Sequence, residues 1–359
     1  MLIGLDFDNT LACYDSVFAT EAKKEGLISD DWQGTKQDLK DKLHSIQNGD
    51  KSWQKMQGQV YGPSMHKASL FPGVARFLLR CRLLGHTVFV VSHKTKYGHF
   101  DPTKTLLRQA ALDWMHSKGF FDEDKFAILK ENIFFADTRQ EKVEKINSLK
   151  LDVFVDDLEE VFAENGFPDI KKILFSKKSK NKYYDVICNN WFNIENSILG
   201  EISNKEIKYL ADSIYDGPIN DVEKIDGRGN SRLYKLSTSK EGNIALKDYP
   251  DLLNNPRTRL ITEVNALKAV ENFNQTPKVI VFDELQNIAL YEWIKGTHLS
   301  NIGDGHILEA LDFIQNIQNI KNKESYELAS EACLSLKHLS VQIDDRFKKL
   351  SLVDNQDLQ

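Results

Sequence analysis

Cysteine is scarce: the 359 residues hold four, at positions 13, 81, 188 and 333, and no two form a C-x-x-C pair. That distribution excludes a thiolate zinc site and a disulfide framework, and predicts free thiols in a reducing compartment. Long apolar runs are missing too. None approaches the roughly 18 residues a transmembrane helix requires, and the chain opens on an apolar strand rather than on a charged segment leading into a hydrophobic one. Neither a membrane span nor a secretory leader is expected, and the protein reads as soluble and cytoplasmic. A basic stripe is also absent. With 47 lysines and arginines against 53 aspartates and glutamates, a net charge of −6 and a pI near 5.9, the chain lacks the electrostatic footprint of a nucleic-acid binder. The short cluster Lys177, Lys178, Lys180 and Lys182 reads as a solvated loop.

What is present begins at residue 1. The apolar run Met1 to Leu5 stops abruptly at Asp6-Phe7-Asp8-Asn9-Thr10, the pattern of a buried parallel strand whose carboxyl end carries chemistry. Phe71 to Gly85 has helical apolar spacing, with Pro72 and Gly73 near its start and Gly85 at its end. It leads into the strand-like run 86–91, which ends in Ser92-His93-Lys94. A third unit follows: Asn132 to Ala136 as strand, Arg139 to Leu149 as helix, and Leu151 to Val155 as a strand stopping at Asp156-Asp157. Alternation of this kind predicts an α/β fold with a parallel sheet and right-handed crossovers.

The strand ends gather Asp6 with Asp8, Ser92, and Asp156 with Asp157, and the intervening helix adds Lys142. These groups suit phosphoryl transfer through a covalent intermediate. One carboxylate attacks phosphorus, and a second protonates the leaving oxygen and then deprotonates water. So many acids need a counter-ion, for which Mg²⁺ with hard oxygen ligands is the natural choice. A hydroxyl and an ammonium hold the phosphoryl oxygens. Lys145 lies one helical turn beyond Lys142, and either amine could enter the site.

In this order and setting, residues 1 to about 200 resemble the haloacid dehalogenase superfamily: Asp6-Phe7-Asp8-Asn9-Thr10 matches its first motif, Ser92 its second, Lys142 its third and Asp156-Asp157 its fourth. The resemblance implies a Rossmann-like core with Asp6 as nucleophile, Asp8 as general acid/base, and Ser92 and Lys142 as phosphate ligands. It also implies Mg²⁺ bound by Asp6, Asp8 (through its main-chain carbonyl) and Asp156, with Asp157 at or beside the metal. A second acid at Asp8 favours phosphatase or phosphotransferase chemistry. The long interval 14–70 would form a small helical cap over the site, with Trp53, Tyr61 and His66 as substrate-selecting residues, joined by His93 and Lys94 on the loop after Ser92.

Near residue 200 the pattern changes. Ile187 to Leu199 reads as a closing helix. Val222 to Leu236 then reads as strand, Gly-containing turn, strand, followed by a strand ending in Lys247, a helix around Glu263, and a strand pair at 278–282 and 289–293. This half resembles the amino-terminal lobe of the aminoglycoside phosphotransferase and choline kinase group, on Gly227-x-Gly229, Ala245-Leu246-Lys247, Glu263 and the hinge-like 291–296. The resemblance implies an α+β kinase-like lobe with helices, and a nucleotide such as ATP held by Gly227, Gly229, Lys247 and Glu263. After the hinge only helical segments follow, 307–320 and 325–350, with no His-x-Asp catalytic loop, so the kinase-like domain is incomplete for phosphoryl transfer. The expected organisation is a phosphatase domain at 1–199 and a kinase-like domain at 200–359, acting on a sugar phosphate or related small phosphorylated metabolite. Two alternatives stand beside it: a small-molecule kinase completed by sequence outside this chain, and a non-catalytic nucleotide-binding regulatory module.

Overall fold

The computed structural model describes residues 1–32, 34–98, 103–178, 181–225, 231–249, 259–296, 301–320 and 335–350. The opening apolar run forms strand β1 (Leu2–Leu5). A two-residue strand β2 (Ala12–Cys13) pairs antiparallel with β3 (Ser69–Leu70), so residues 14–68 leave and rejoin the chain through a narrow neck. That insertion is helical, as expected of the cap: α1 (Asp15–Lys24), α2 (Lys36–His44) and α3 (Gly49–Tyr61). Helix α2 begins where it does because the Thr35 hydroxyl accepts from the Asp38 backbone N–H while the Asp38 carboxylate accepts from that of Thr35.

Beyond the neck come α4 (Val74–Leu83), β4 (Thr87–His93), α5 (Leu107–Ser117), β5 (Ile133–Ala136), α6 (Arg139–Ser148) and β6 (Val153–Asp156). The unit closes with α7 (Glu159–Phe162), β7 (Lys171–Phe175), β8 (Val186–Cys188) and α8 (Trp191–Leu199). Six strands form one parallel sheet in the order β5-β4-β1-β6-β7-β8. Counted among themselves these are 3-2-1-4-5-6, the doubly wound order of Rossmann-like folds, and the α/β expectation is met. Two details differ from the sequence reading. Strand β7 was not anticipated, and the helix expected from Ile187 begins at Trp191 because Val186–Cys188 pair with β7 as the sheet's last strand.

The central strands β1, β4 and β6 are buried on both faces and read as nearly continuous apolar runs. Val91, Val143, Ile146, Leu151, Phe154 and Leu174 form one cluster of the core. Gly4 is needed there: a Cβ would lie 2.4 Å from Leu151 Cδ1 and 2.5 Å from the Phe154 ring, so the bare backbone is what lets both side chains close over β1.

The second half contains α9 (Asn204–Asp212) and three strands, β9 (Ile219–Ile225), β10 (Arg232–Thr238) and β11 (Gly242–Asp248). Next come α10 (Arg259–Val270), β12 (Val279–Asp283), β13 (Ile288–Glu292), α11 (Asp304–Gln318) and α12 (Leu336–Leu350). The five strands form a second sheet in the order β12-β13-β11-β10-β9, antiparallel along β9-β10-β11. The strands, α10 and α11 follow the expected succession; of the helical segment expected at 325–350, residues 325–334 lie outside the described residues and α12 covers 336–350. Contacts group Met1–Leu253 with Val281–Tyr291 in one compact unit, and Asn254–Ile280 with Glu292–Gln359 in another. Cys13, Cys81 and Cys188 are free thiols, and Cys333 lies outside the described residues. No helix of the described residues is long and apolar enough to cross a membrane.

Candidate active site

In a sheet of this order the crevice opens at the carboxyl ends of the strands where the order reverses, which places it around β1 and its neighbours β4 and β6. The chain supplies a carboxylate or hydroxyl at each of those ends. Asp6 follows β1 and is fixed by its backbone N–H, which donates to the Val155 carbonyl at 2.9 Å. Asp156 ends β6, with Asp157 next, and Ser92 stands near the end of β4. Lys142 reaches in from α6, fully buried, and donates to Asp6 Oδ1 at 2.6 Å and to Asp156 Oδ2 at 2.5 Å. Asp156 Oδ1 accepts from the Leu158 backbone N–H at 2.9 Å. The structure thus separates the two candidate amines: Lys142 meets the carboxylates, whereas the Lys145 ammonium lies over the Phe134 ring, 4.2 Å from its centroid.

Carboxylate oxygens of Asp6, Asp156 and Asp157 all lie within 4.8 Å of one another. Burial pushes the Asp6 carboxyl up to about 7, and Asp156 and Asp8 add to the shift while Lys142 opposes it. The Asp157 carboxyl is pushed well above the usual range by burial first and then by Asp6 and Asp156. Lys142 is raised although burial works against it, because both of its carboxylate partners favour the charged amine. Three carboxylates against one ammonium leave a deficit of positive charge among hard oxygen donors, which is the environment a small divalent cation such as Mg²⁺ fits. The Asp8 carboxylate stands outside this cluster.

Asp8 has partners of its own. The Lys94 ammonium donates to both of its oxygens, at 3.0 and 2.8 Å, and the Tyr14 hydroxyl donates to Oδ1. Lys94, read from sequence as a substrate contact on a polar loop, is in fact turned inward and buried against Asp8. Tyr14 is buried as well, and its hydroxyl is pushed up by that burial and then by Asp8. Ser92 Oγ is buried with no hydrogen-bond partner among the described residues. A buried hydroxyl left unpaired on the wall of a cleft is a donor awaiting a ligand oxygen.

A cleft of ≈ 950 Å³ joins these groups to the insertion, with Asp6, Asp8, Ser92, Lys142 and Asp157 on one side and Lys36, Trp53 and Tyr61 on the other. Trp53 stacks on Phe18 at 5.0 Å and Tyr61 meets Tyr14 edge-on at 4.8 Å, so both cap aromatics are packed against neighbouring rings. A smaller cavity of ≈ 220 Å³ adjoins Asp8, Tyr61, His93 and Lys94. His93 is exposed, with Nε2 3.0 Å from the Asp137 carbonyl. His66 lines neither cavity; its exposed ring bonds the Pro63 carbonyl at 3.0 Å. Lys177 and Lys178, read as a solvated loop, are exposed but border the larger cleft. Sequence reasoning missed Tyr14, which turns back on Asp8 six residues before it, and Lys36, whose partners Asn9 and Tyr61 lie 27 and 25 residues away. In the second half Lys247 is on β11 and Glu263 on α10, while Gly227 and Gly229 lie outside the described residues.

No protein-family model matches the chain. Among curated proteins it is 27% identical over 111 residues to a "Putative nucleotidase" of Oceanobacillus iheyensis, a match covering 31% of this chain and 50% of that one. The chain thus spans about half the length of the curated relative it matches. Among solved structures it is similar to a HAD-superfamily hydrolase from Ehrlichia chaffeensis, with a TM-score of 0.32 and 12% identity, covering 55% of this chain and 95% of that one. Neither is named as a kinase.

Proposed function

We propose that residues 1–199, with a cap at about 14–70, are an Mg²⁺-dependent phosphomonoesterase working through an aspartyl phosphate on a small phosphorylated metabolite. Sugar phosphates are one candidate class, and the name of the curated relative adds nucleoside monophosphates. The observation that carries the proposal is the convergence of Asp6, Lys142 and the unpartnered Ser92 hydroxyl at the switch point of the sheet, beside three clustered carboxylates.

Asp6 Oδ attacks phosphorus, the P–O bond to the leaving group breaks, and Asp8 gives the departing oxygen its proton. Asp8 then takes a proton from water, whose oxygen attacks the aspartyl phosphate, releasing inorganic phosphate and restoring Asp6. Ser92 and Lys142 donate to the phosphoryl oxygens throughout. Lys94 and Tyr14 hold the Asp8 carboxylate in one orientation between the two proton transfers. Asp6, Asp156 and Asp157 would hold Mg²⁺, which when bound supplies positive charge for the phosphoryl oxygens and relieves the repulsion among the carboxylates. The cap aromatics exclude water from the cleft.

Phosphate release from a panel of sugar phosphates, nucleoside monophosphates and an aryl phosphate provides the test. We expect release that falls to background on chelation with EDTA and returns with Mg²⁺. Release indifferent to chelation, or none from any compound, would overturn the proposal.

For residues 200–359 we propose nucleotide binding without phosphoryl transfer. It is favoured by the succession of three antiparallel strands, a helix and two strands, with Lys247 on the third strand. Saturating ATP with Mg²⁺ is expected to raise the melting temperature by several degrees, since ligand at 100 Kd adds about 2.7 kcal/mol, and Lys247→Met should remove the shift. An unchanged melting temperature in wild type would count against nucleotide binding.

A further inference from the structure

Lys36 is the first residue of α2 and faces the cleft from the cap. Its ammonium donates to Asn9 Oδ1, one residue beyond Asp8, and to the Tyr61 hydroxyl at 3.2 Å. It also lies over two rings, 4.8 Å from the Phe18 centroid and 5.7 Å from that of Tyr61. An ammonium has three N–H donors. Two of these are taken, both by neutral acceptors, and among the described residues no carboxylate pairs with it. The contrast with the other amines of the site is sharp: Lys142 has Asp6 and Asp156, and Lys94 has Asp8. A partly buried cation held by aromatic faces and neutral oxygens is stabilised but not neutralised, and its remaining donor gains most from an anion.

The phosphoryl group does not account for that anion. In the proposed mechanism its oxygens are held by Ser92 and Lys142 on the sheet side, whereas Lys36 stands on the cap side of a cleft of ≈ 950 Å³, far larger than one phosphate fills. Lys40, one helical turn along α2, and Lys177 and Lys178 on the loop after β7 border the same cleft. Asp15 and Asp38 border the cleft there too, so that side carries four lysines against two carboxylates and is cationic on balance.

We propose that Lys36 is a specificity-determining residue that binds a second anionic group, a carboxylate or phosphate, on the leaving-group side, so that the site takes phosphomonoesters with two separated negative groups. This deepens the phosphatase proposal and rests on it for the position of the first phosphate. The test uses full-length protein and non-hydrolysable probes: phosphonoacetate and its two next longer homologues, each compared with its own carboxamide by isothermal titration calorimetry with Mg²⁺ present. At the best chain length the carboxylate is expected to bind about 10- to 100-fold tighter than the amide, the range of a hydrogen bond to a charged group. Lys36→Met should bring the ratio to within about two-fold, and Lys36→Arg should keep most of it. Thermal melting checks that the variants fold, with Lys36→Gln replacing an unfolded Met variant. Absence of discrimination in wild type, absence of binding by any probe, or discrimination that survives Lys36→Met would each overturn the proposal. Discrimination lost with Lys36, in a protein that releases phosphate from no monoester, would leave the Lys36 site standing and remove the phosphatase reading instead.

Discussion

Asp6→Asn is expected to lower kcat for phosphate release by about 10⁴-fold or more, with the protein still folded, because removing the nucleophile of a covalent mechanism removes the pathway rather than one of its supports. The local structure makes this substitution informative. Asparagine keeps the shape of the side chain, and the Lys142 ammonium retains Asp156 at 2.5 Å, so no buried charge is stranded and the melting temperature should move little. One complication is chemical. Asp6 is also one of three clustered carboxylates, so the variant should need more Mg²⁺ to saturate. A rate restored to within ten-fold of wild type at high Mg²⁺ would make Asp6 a metal ligand only and remove it as nucleophile. A loss that persists at saturating Mg²⁺ assigns the chemistry to Asp6.

The parts of this site that were legible in the sequence share one property: each is announced by its own neighbours. Asp6 and Asp8 end an apolar run, Ser92 ends another, and Asp156 and Asp157 end a third, and a strand that stops at a carboxylate can be read from a window of ten residues. The parallel sheet followed as well, because strands alternating with helices of these lengths require parallel pairing with right-handed crossovers. What was not legible depends on pairings between distant segments. Lys94 looks like one more polar residue in His93-Lys94-Thr95, and nothing nearby reveals that its amine turns inward to Asp8. Tyr14 belongs by spacing to the start of the cap, yet its hydroxyl serves Asp8. Lys36 meets Tyr61 across the insertion. The distinction between Lys142 and Lys145 is of the same kind: one helical turn decides between two carboxylates and the face of Phe134. Strand β7 begins Lys171-Lys172, and two lysines concealed an element whose later residues are buried.

The same blindness hid the feature with the largest expected effect on stability. Arg76 and Arg80 sit one turn apart on α4 and are both buried, at 3% and 0% exposure, which the apolar spacing of the helix does not reveal. Arg80 Nε donates to Glu206 on α9 at 2.8 Å and its Nη1 to Glu195 on α8 at 2.7 Å. Arg76 shares Glu195 at 2.8 Å and also meets Asp248 on β11, which Arg232 on β10 approaches at 2.7 Å. Three arginines thus face three carboxylates across the position near residue 200 where the sequence changes character. Arg80→Met is expected to destabilise the protein by about 3–5 kcal/mol, because it takes the arginine from buried Glu206 and leaves Glu195 with Arg76 alone. Urea unfolding measures it, and a loss under about 1 kcal/mol would mean that water reaches the pair. The pH dependence gives an independent check. Burial alone would raise the Glu206 carboxyl, but hydrogen bonds from Arg80 and Ser203 outweigh it and hold the group below the usual glutamate range. A depressed carboxyl contributes stability that is present above its unfolded pKa, about 4.3, and is lost as pH falls through the folded value. The wild-type urea midpoint should therefore drop as pH is lowered through that window, and the drop should be shallower in Arg80→Met, where the hydrogen bond that depresses Glu206 is gone. Arg76→Met combined with Arg80→Met should cost more than the two losses added together, since each single variant leaves Glu195 one arginine and the double variant leaves it neither. Strict additivity would instead mean that the two arginines act separately, one through Asp248 and the other through Glu206.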